Sequence, residues 1–290
     1  MFNYKYKVPK ELFKTTYGSI CIKNIAFSPL EIEQELPNIL FEDENLKYMF
    51  AESHLSKLKR RNIYRRFVPK SEMLPNIEQF VEQSVQHNKS FYSFLAEGIL
   101  GLVFRDLYGY NLASGIIDMG ETLTDSHTGV DACMYNLEQN IIVLGEAKFY
   151  VSLNGGMNRI IKDFVDKSVK NKLESLQTKI ENSEEAYQIV IKNLELENYE
   201  ELTVNKFMNQ SIIFAGFVLH SEDDISDYWN ENFYDNYFVT TQKLEKNICK
   251  SLNDTVCGNY QIILVHLPIK DKKSLIIKMI KTSTNLLDCI

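Results

Sequence analysis

Two acidic residues and one lysine are the side chains of this sequence whose types and spacing best suit chemistry. Asp131 lies in a short apolar run, Val130–Tyr135, and Glu146 and Lys148 end the next apolar run, with a turn-like stretch between the two. The two runs predict a β-hairpin. A hairpin centred between positions 138 and 139 places Asp131 directly opposite Glu146, and Lys148, two residues further on, points to the same face.

Two facing carboxylates point to a divalent cation, because the pair repels by roughly 0.2–1 kcal/mol when exposed and by more when desolvated. Hard cations such as Mg²⁺ take oxygen ligands, often use only one or two carboxylates, and keep positions for water and for a substrate phosphate. Lys148 beside them could orient or help deprotonate a metal-bound water, or stabilise charge on the phosphate in the transition state.

Glu97 is a fourth candidate, because it is the one acidic residue in the apolar stretch Phe94–Phe104. Such a stretch predicts a buried helix, and an unpaired buried carboxylate is costly. A metal ion or Lys148 would be a suitable partner. The alternative is a structural buried salt bridge or a protonated glutamate.

The acid-x-lysine spacing by itself is weak support, because Asp271-Lys272-Lys273 has the same spacing at what reads as a helix start. Context separates the two. Glu146-Ala147-Lys148 ends an apolar strand, follows a hairpin partner that carries an acid, and comes after a helix that carries another.

The elements that must position these residues alternate between helix and strand. We predict a strand at about 18–27, a helical region at about 30–88 interrupted by Pro37, Pro69 and Pro75, an apolar helix at 90–108, a strand at 116–118, the hairpin strands at 130–135 and 141–150, a helix at about 157–180, and apolar strands at 211–219 and 260–267. This order predicts a layered α/β fold. We divide it into an N-terminal, mainly helical region at 1–88, for partner or DNA contact, and a catalytic domain at 89–290.

The net charge of −7 does not exclude a nucleic-acid partner, because binding depends on where the charges lie. Arg60 and Arg61 belong to a stretch, 55–70, with seven cations and no acid, and Lys162 and Lys170 lie in the lysine-rich helix after the hairpin. Both are candidates for contacts with the nucleic-acid backbone. The alternatives are a solvated helix face for the first and a mixed-charge exposed helix, containing Asp163, Asp166 and Glu174, for the second.

These residues together resemble a known family. Helical Glu97, the run Gly129-Val130-Asp131, the run Gly145-Glu146-Ala147-Lys148 and the basic helix after it resemble the PD-(D/E)xK nuclease superfamily and, more closely, HamA, the nuclease subunit of the Hachiman anti-phage defence system. The resemblance implies a restriction-endonuclease-like core, a mixed central sheet flanked by helices. It implies that Asp131 and Glu146 bind the metal ion, and that Glu97 supports the site from its helix as a further metal ligand. It also implies that Lys148 assists the attacking water. Val130 replaces the motif's proline, which leaves the metal ligands unaltered.

The resemblance also implies a Mg²⁺-dependent deoxyribonuclease, with Mn²⁺ as a second active ion, that cleaves DNA with little sequence preference under the control of a HamB-like helicase in a heterodimer. The chain has no GxxxxGK[ST] phosphate loop, so an ATP-driven step would belong to the partner. A catalytically silent scaffold that binds DNA or the helicase, and a stand-alone restriction-like enzyme, remain open alternatives. We expect a cytoplasmic protein without membrane contact, because no signal-peptide-like or spanning apolar run is present and the five cysteines are scattered.

Overall fold

The computed structural model describes residues 5–7, 11–14, 18–26, 29–65, 67–68, 76–84, 89–113, 131–166, 185, 188, 212–221 and 260–290. In these residues eight strands form one sheet: β1 (Lys5–Lys7), β2 (Glu11–Lys14), β3 (Gly18–Ala26), β4 (Asn111–Leu112), β5 (Ala132–Asn136), β6 (Ile141–Tyr150), β7 (Ile212–Ser221) and β8 (Tyr260–Ile269). The helices with described bounds are α1 (Pro29–Phe41), α2 (Asp43–Met49), α3 (Lys57–Arg65), α4 (Ile77–Ser84), α5 (Lys89–Tyr108), α6 (Leu153–Asp166) and α7 (Lys272–Asp288).

The sheet is mixed, with strand order β1-β3-β8-β7-β6-β5-β4 and β2 paired to β3. Its centre is parallel, because β3, β8, β7 and β6 all run in the same direction. The pairs towards both edges are antiparallel. Continuous apolar runs such as β7 and β8 are expected at such a parallel centre, since helices cover both faces. The predicted α/β fold with a mixed sheet flanked by helices is confirmed.

One face of the sheet packs against α5. A Cβ at Gly145 of β6 would meet Leu100 of α5 at 2.9 Å and the Ala132 side chain at 3.0 Å. The same face of β6 and β7 carries Ala147 and Phe217, which belong to the large buried core that also includes residues of α1, α2, α3 and α7. Small residues at this contact therefore allow α5 to lie close to the hairpin.

The opposite face packs against α6. A Cβ at Gly156 would meet Val218 at 2.4 Å, and a Cβ at Gly216 would meet Ile160 at 3.1 Å. Glu146 pairs in register with Gly216 and therefore projects from this second face. The two helices that flank β6 thus define an α5 face and an α6 face, and the alternation of side chains along β6 decides which residue meets which helix.

Several predicted elements match the structure closely and others do not. The strand predicted at 18–27 is β3, and the second hairpin strand has the predicted bounds. Pro37 lies inside α1 and does not interrupt it, and the helix predicted from position 157 begins at Leu153. The strand predicted at 116–118 lies outside the described residues.

The N-terminal region contributes to the same sheet as the rest of the chain. β3 pairs in parallel with β8, so a strand from the first 88 residues completes the parallel centre. Buried residues on both sides of position 88, such as Leu40 and Leu100, belong to one hydrophobic core. The functional division between 1–88 and 89–290 stays a prediction, although the two parts share a sheet and a core.

Candidate active site

The hairpin of β5 and β6 has the predicted register. Ala132 lies opposite Gly145 and Asn136 lies opposite Ile141, so the next pair beyond the end of β5 places Asp131 across from Glu146. The turn is tight: Asn140 has a φ of 51°, which asparagine tolerates better than most residues. The hairpin therefore brings the two predicted metal ligands to the same end of the ribbon.

Asp131 is held by the backbone of the opposite strand. Its Oδ2 accepts a hydrogen bond of 2.7 Å from the backbone N–H of Ala147. β5 begins at Ala132, so the Asp131 side chain accepts a hydrogen bond from a backbone N–H just beyond the last strand pair, Ala132 with Gly145. This bond fixes the carboxylate beside the Glu146-Ala147-Lys148 run and gives it a defined position before any ligand binds.

Lys148 lies among three carboxylates. Its Nζ is 3.1 Å from Glu146 Oε2, to which it donates a hydrogen bond, and 3.7 Å from Asp131 Oδ2. The third contact, at 3.2 Å, is with Oδ2 of Asp163 on α6. The two predicted acids, Asp131 and Glu146, therefore lie around the ammonium group of the predicted lysine, Lys148.

Asp163 is the site residue that the sequence reasoning missed. The alternative interpretation of this helix, an exposed face of mixed charge, counted Asp163 among its acids, but the Asp163 side chain is only 3% exposed. A signal was present: Leu153, Met157 and Ile160 form the buried stripe of α6, and Asp163 continues it at the same three- to four-residue spacing. An acid at a stripe position predicts a buried charge that needs a partner.

Among the ion pairs of the described residues, this cluster has more acids than bases. Three carboxylates surround Lys148, and Arg159 Nε is 3.2 Å from Asp163 Oδ1. Glu146 is 2% exposed, so water screens this excess poorly. A bound cation would offset it.

The oxygen donors suit a hard divalent cation that takes two protein carboxylates. Among the residues that the structure describes, no group of three or more histidine, cysteine, aspartate or glutamate side chains has an arrangement that would hold a metal ion. Mg²⁺ does not need one, because it commonly uses one or two carboxylates and completes its coordination with water and substrate oxygens. Asp131 and Glu146 therefore fit the ion, with Lys148 lying between them and Asp163.

Glu97 does not belong to the ion pairs of Lys148. It is partly buried on α5, three residues before Leu100, which packs against the α5 face of the sheet. Lys148 and Glu146 project from the α6 face, and the ion pairs of Lys148 are with Asp131, Glu146 and Asp163. In the part of the chain that the structure describes, Glu97 is therefore not among the ion-pair partners of Lys148, and its role as a metal ligand stays a prediction.

The predicted nucleic-acid contacts have different environments. Arg60 Nη2 lies 2.6 Å from Asp43 Oδ1 and its Nε donates to a backbone carbonyl, so this guanidinium is held within the fold. Arg61 is exposed on α3, and Lys162 is exposed on α6, the helix that carries Asp163. Lys170 lies outside the described residues.

A buried histidine pair lies on the same face as the cluster. His266 is in register with Val218, which itself pairs with Lys148, and His266 Nδ1 is 3.2 Å from His220 Nε2. Burial lowers the pKa of His220 to about 4 and holds the pKa of His266 well below its ordinary value. Both rings are therefore neutral near pH 7 and add no positive charge to the cluster.

Comparison with known proteins gives one result. The family model described as HamA matches residues 22–282, nine-tenths of the chain. No curated protein and no solved structure matches. Within the described residues, no helix is both long and apolar enough to cross a membrane.

Proposed function

We propose, from the premise that the chain belongs to the HamA family, that it is the metal-dependent DNA nuclease component of a Hachiman anti-phage defence system. The observation that carries this proposal is the position of Lys148, whose ammonium lies within 3.7 Å of three carboxylates on one face of the sheet. Two acids that can hold a divalent cation, with a lysine beside them, suit metal-assisted hydrolysis of a phosphodiester.

Asp131 and Glu146 are the residues that would hold Mg²⁺ or Mn²⁺. When bound, such an ion supplies a Lewis acid and lowers the pKa of a coordinated water towards neutrality. The hydrogen bond from Ala147 N–H keeps Asp131 oriented for this task. Glu146 is fixed by its burial between β6 and α6.

Lys148 would stabilise charge on the phosphate and orient the attacking water. Its side chain is 21% exposed, so its ammonium can reach solvent and substrate while Glu146, to which it donates, is buried. A positive group in a partly desolvated site stabilises the charge that develops on the phosphate in the transition state. Its loss should therefore lower the rate of cleavage more than the affinity for DNA.

The substrate and the partner follow from the same proposal. DNA is cleaved with little sequence preference, and a HamB-like helicase controls the activity in a heterodimer. Two exposed cations, Lys162 on α6 and Arg61 on α3, support contacts with the phosphate backbone. Backbone contacts of this kind position DNA without reading its sequence.

The test is degradation of plasmid DNA with Mg²⁺ or Mn²⁺, with and without the helicase. Three variants, Glu146→Gln, Asp131→Asn and Lys148→Met, should each lose at least about a hundredfold in rate. Lys278→Met, which changes an exposed lysine on α7, is the matched control and should cleave as the unmodified protein does. Full activity of any of the three would remove that residue from the mechanism.

A second candidate function is a catalytically silent scaffold that binds DNA or the helicase. It is favoured by one observation, that Lys148 already forms ion pairs with both proposed metal ligands and with Asp163. In that case the three polar residues would form a structural ion-pair cluster. Binding of DNA or helicase without cleavage, and without Mg²⁺ binding that Glu146→Gln removes, would favour the scaffold.

A further inference from the structure

We propose that Asp163 is a positioning residue for Lys148: it holds the ammonium beside the divalent-cation site, so that the cation and the lysine can be present together. This inference rests on the proposed function and assigns a role to a residue outside the Asp131, Glu146 and Lys148 set. The geometry behind it is the bridge that Asp163 makes, with Oδ2 at 3.2 Å from Lys148 and Oδ1 at 3.2 Å from Arg159.

Lys148 and the divalent cation would compete for the same two carboxylates. Lys148 Nζ contacts Glu146 at 3.1 Å and Asp131 at 3.7 Å, and these are the carboxylates that would hold the cation. Asp131 and Glu146 would be shared between a bound cation and Lys148, and the two positive charges would repel each other. Lys148 therefore needs another anion close by if it is to stay near the reacting phosphate.

Asp163 is that anion, and its position is fixed. It lies on α6, whose packing on the sheet is close: Gly156 approaches Val218, and Ile160 approaches Gly216. The Asp163 side chain is 3% exposed, and its salt bridge with Arg159 spans one helical turn. A buried carboxylate held by the helix and by a second cation cannot follow Lys148 towards the metal site.

The expected consequence has a definite direction. Without the charge of Asp163, the partners that remain for the ammonium of Lys148 among the described residues are Glu146 and Asp131, so it stays on the cation ligands and weakens cation binding. Loss of an outer partner of a metal site typically costs about 10–100-fold in metal affinity. If Lys148 is also removed, the competition ends and Asp163 no longer affects the cation.

Two other roles for Asp163 predict different results. A direct cation ligand would weaken binding when replaced, whether or not Lys148 is present. A residue that only stabilises α6 would lower the thermal unfolding midpoint and leave cation affinity unchanged.

The experiment is a double-mutant cycle measured by titration calorimetry with Mg²⁺ alone on the full chain. The proteins are the unmodified chain, Asp163→Asn, Lys148→Met and the double variant. Asp43→Asn is the matched control, because Asp43 also contacts a lysine and an arginine, Lys47 and Arg60, but on another helix.

We expect Asp163→Asn to weaken Mg²⁺ binding about tenfold in the presence of Lys148 and to have no measurable effect beside Lys148→Met. The Asp43→Asn control should bind Mg²⁺ as the unmodified chain does. Equal weakening in both backgrounds would overturn the proposal in favour of a direct ligand. An unchanged affinity in both backgrounds would overturn it in favour of a structural role.

Asp163→Glu is the second variant, for use if the asparagine variant does not fold. It keeps the charge and lengthens the side chain by one methylene, so we expect intermediate Mg²⁺ affinity and, again, no effect beside Lys148→Met. An effect of equal size in both backgrounds would overturn the proposal here too.

DNA cleavage by the unmodified chain, measured in parallel, separates the two proposals. If that chain binds Mg²⁺ and cleaves DNA but Asp163→Asn leaves Mg²⁺ affinity unaltered, only the role of Asp163 falls. If the unmodified chain neither binds Mg²⁺ nor cleaves DNA, both the proposed function and the role of Asp163 are contradicted.

Discussion

Replacement of Lys148 by methionine tests the electrostatics of the cluster through stability. Methionine keeps much of the side-chain volume and removes the charge, leaving three carboxylates close together around an apolar group. At an effective dielectric constant of about 20, charges separated by the 3.1 Å between Lys148 Nζ and Glu146 Oε2 attract by about 5 kcal/mol. The contacts with Asp131 and Asp163 are of comparable length, so the gross attraction of about 15 kcal/mol is as large as the whole net stability of a typical domain, roughly 5–15 kcal/mol.

The net contribution of Lys148 to the free energy of unfolding is smaller, because folding also removes water from its ammonium group. Removing one partner of a buried pair typically costs about 3–5 kcal/mol, and the 21% exposure of Lys148 favours the lower end of that range. Without divalent ions, Lys148→Met should therefore lower the free energy of unfolding by about 3 kcal/mol. Because the cation replaces the missing charge, Mg²⁺ at about 100 times its dissociation constant should raise the free energy of unfolding of Lys148→Met by about 2.7 kcal/mol.

Urea unfolding followed by circular dichroism, in EDTA and in Mg²⁺, measures both numbers. The control Lys278→Met removes an exposed lysine and should change stability by no more than about 0.5 kcal/mol in either buffer. The electrostatic reasoning would be refuted if Lys148→Met were as stable as the unmodified chain in EDTA, or if Mg²⁺ stabilised the variant less than it stabilises the unmodified chain.

Three further predictions concern the surroundings of the site. Gly216→Ala should lower the free energy of unfolding by about 1–3 kcal/mol in urea, because its Cβ would meet Leu264 at 2.4 Å. Stability should fall as the pH drops from 6.5 to about 4, since the pKa of His220 is lowered to about 4 and its neutral ring stabilises the fold only above that window. The loss attributable to His220 is about 3 kcal/mol, and a flat profile of unfolding free energy between pH 7 and 4 would contradict it. Asp271→Ala should cost about 1 kcal/mol in a urea titration and leave DNA cleavage unchanged, because Asp271 caps α7 through the Lys273 N–H.

The hairpin was predictable because its determinants are local. The two apolar runs, the turn between them and the equal spacing of Asp131 and Glu146 from its centre fix the register, and the structure has that register. Lys148 follows from the two-residue alternation of a strand. Membership of the HamA family, predicted from the same residues, is confirmed by the match over 22–282.

Asp163 and Glu97 show what a local pattern does not decide. Both are acids on helices with apolar stripes, and the sequence does not state which face of the sheet each helix will cover. α6 lies on the face of Lys148 and brings Asp163 to it, whereas α5 packs against Gly145 on the opposite face. The layer that a helix occupies is set by crossover connections and long-range packing, not by the helix itself.

The role of the N-terminal region in the fold was also beyond the local pattern. The strand at Gly18–Ala26 was predicted, but its pairing with β8 joins segments more than 200 residues apart. A proline predicts an interruption at position 37, but Pro37 lies within α1, where burial of Leu36 and Leu40 stabilises the helix against the loss of one backbone hydrogen bond.

Anomalous diffraction from crystals grown with Mn²⁺ tests directly whether a divalent cation binds between Asp131 and Glu146. We predict an anomalous peak within coordination distance of both carboxylates, and no such peak in Glu146→Gln. A map without a peak at these two carboxylates, from crystals in which Mn²⁺ is bound elsewhere on the chain, would contradict the proposed site.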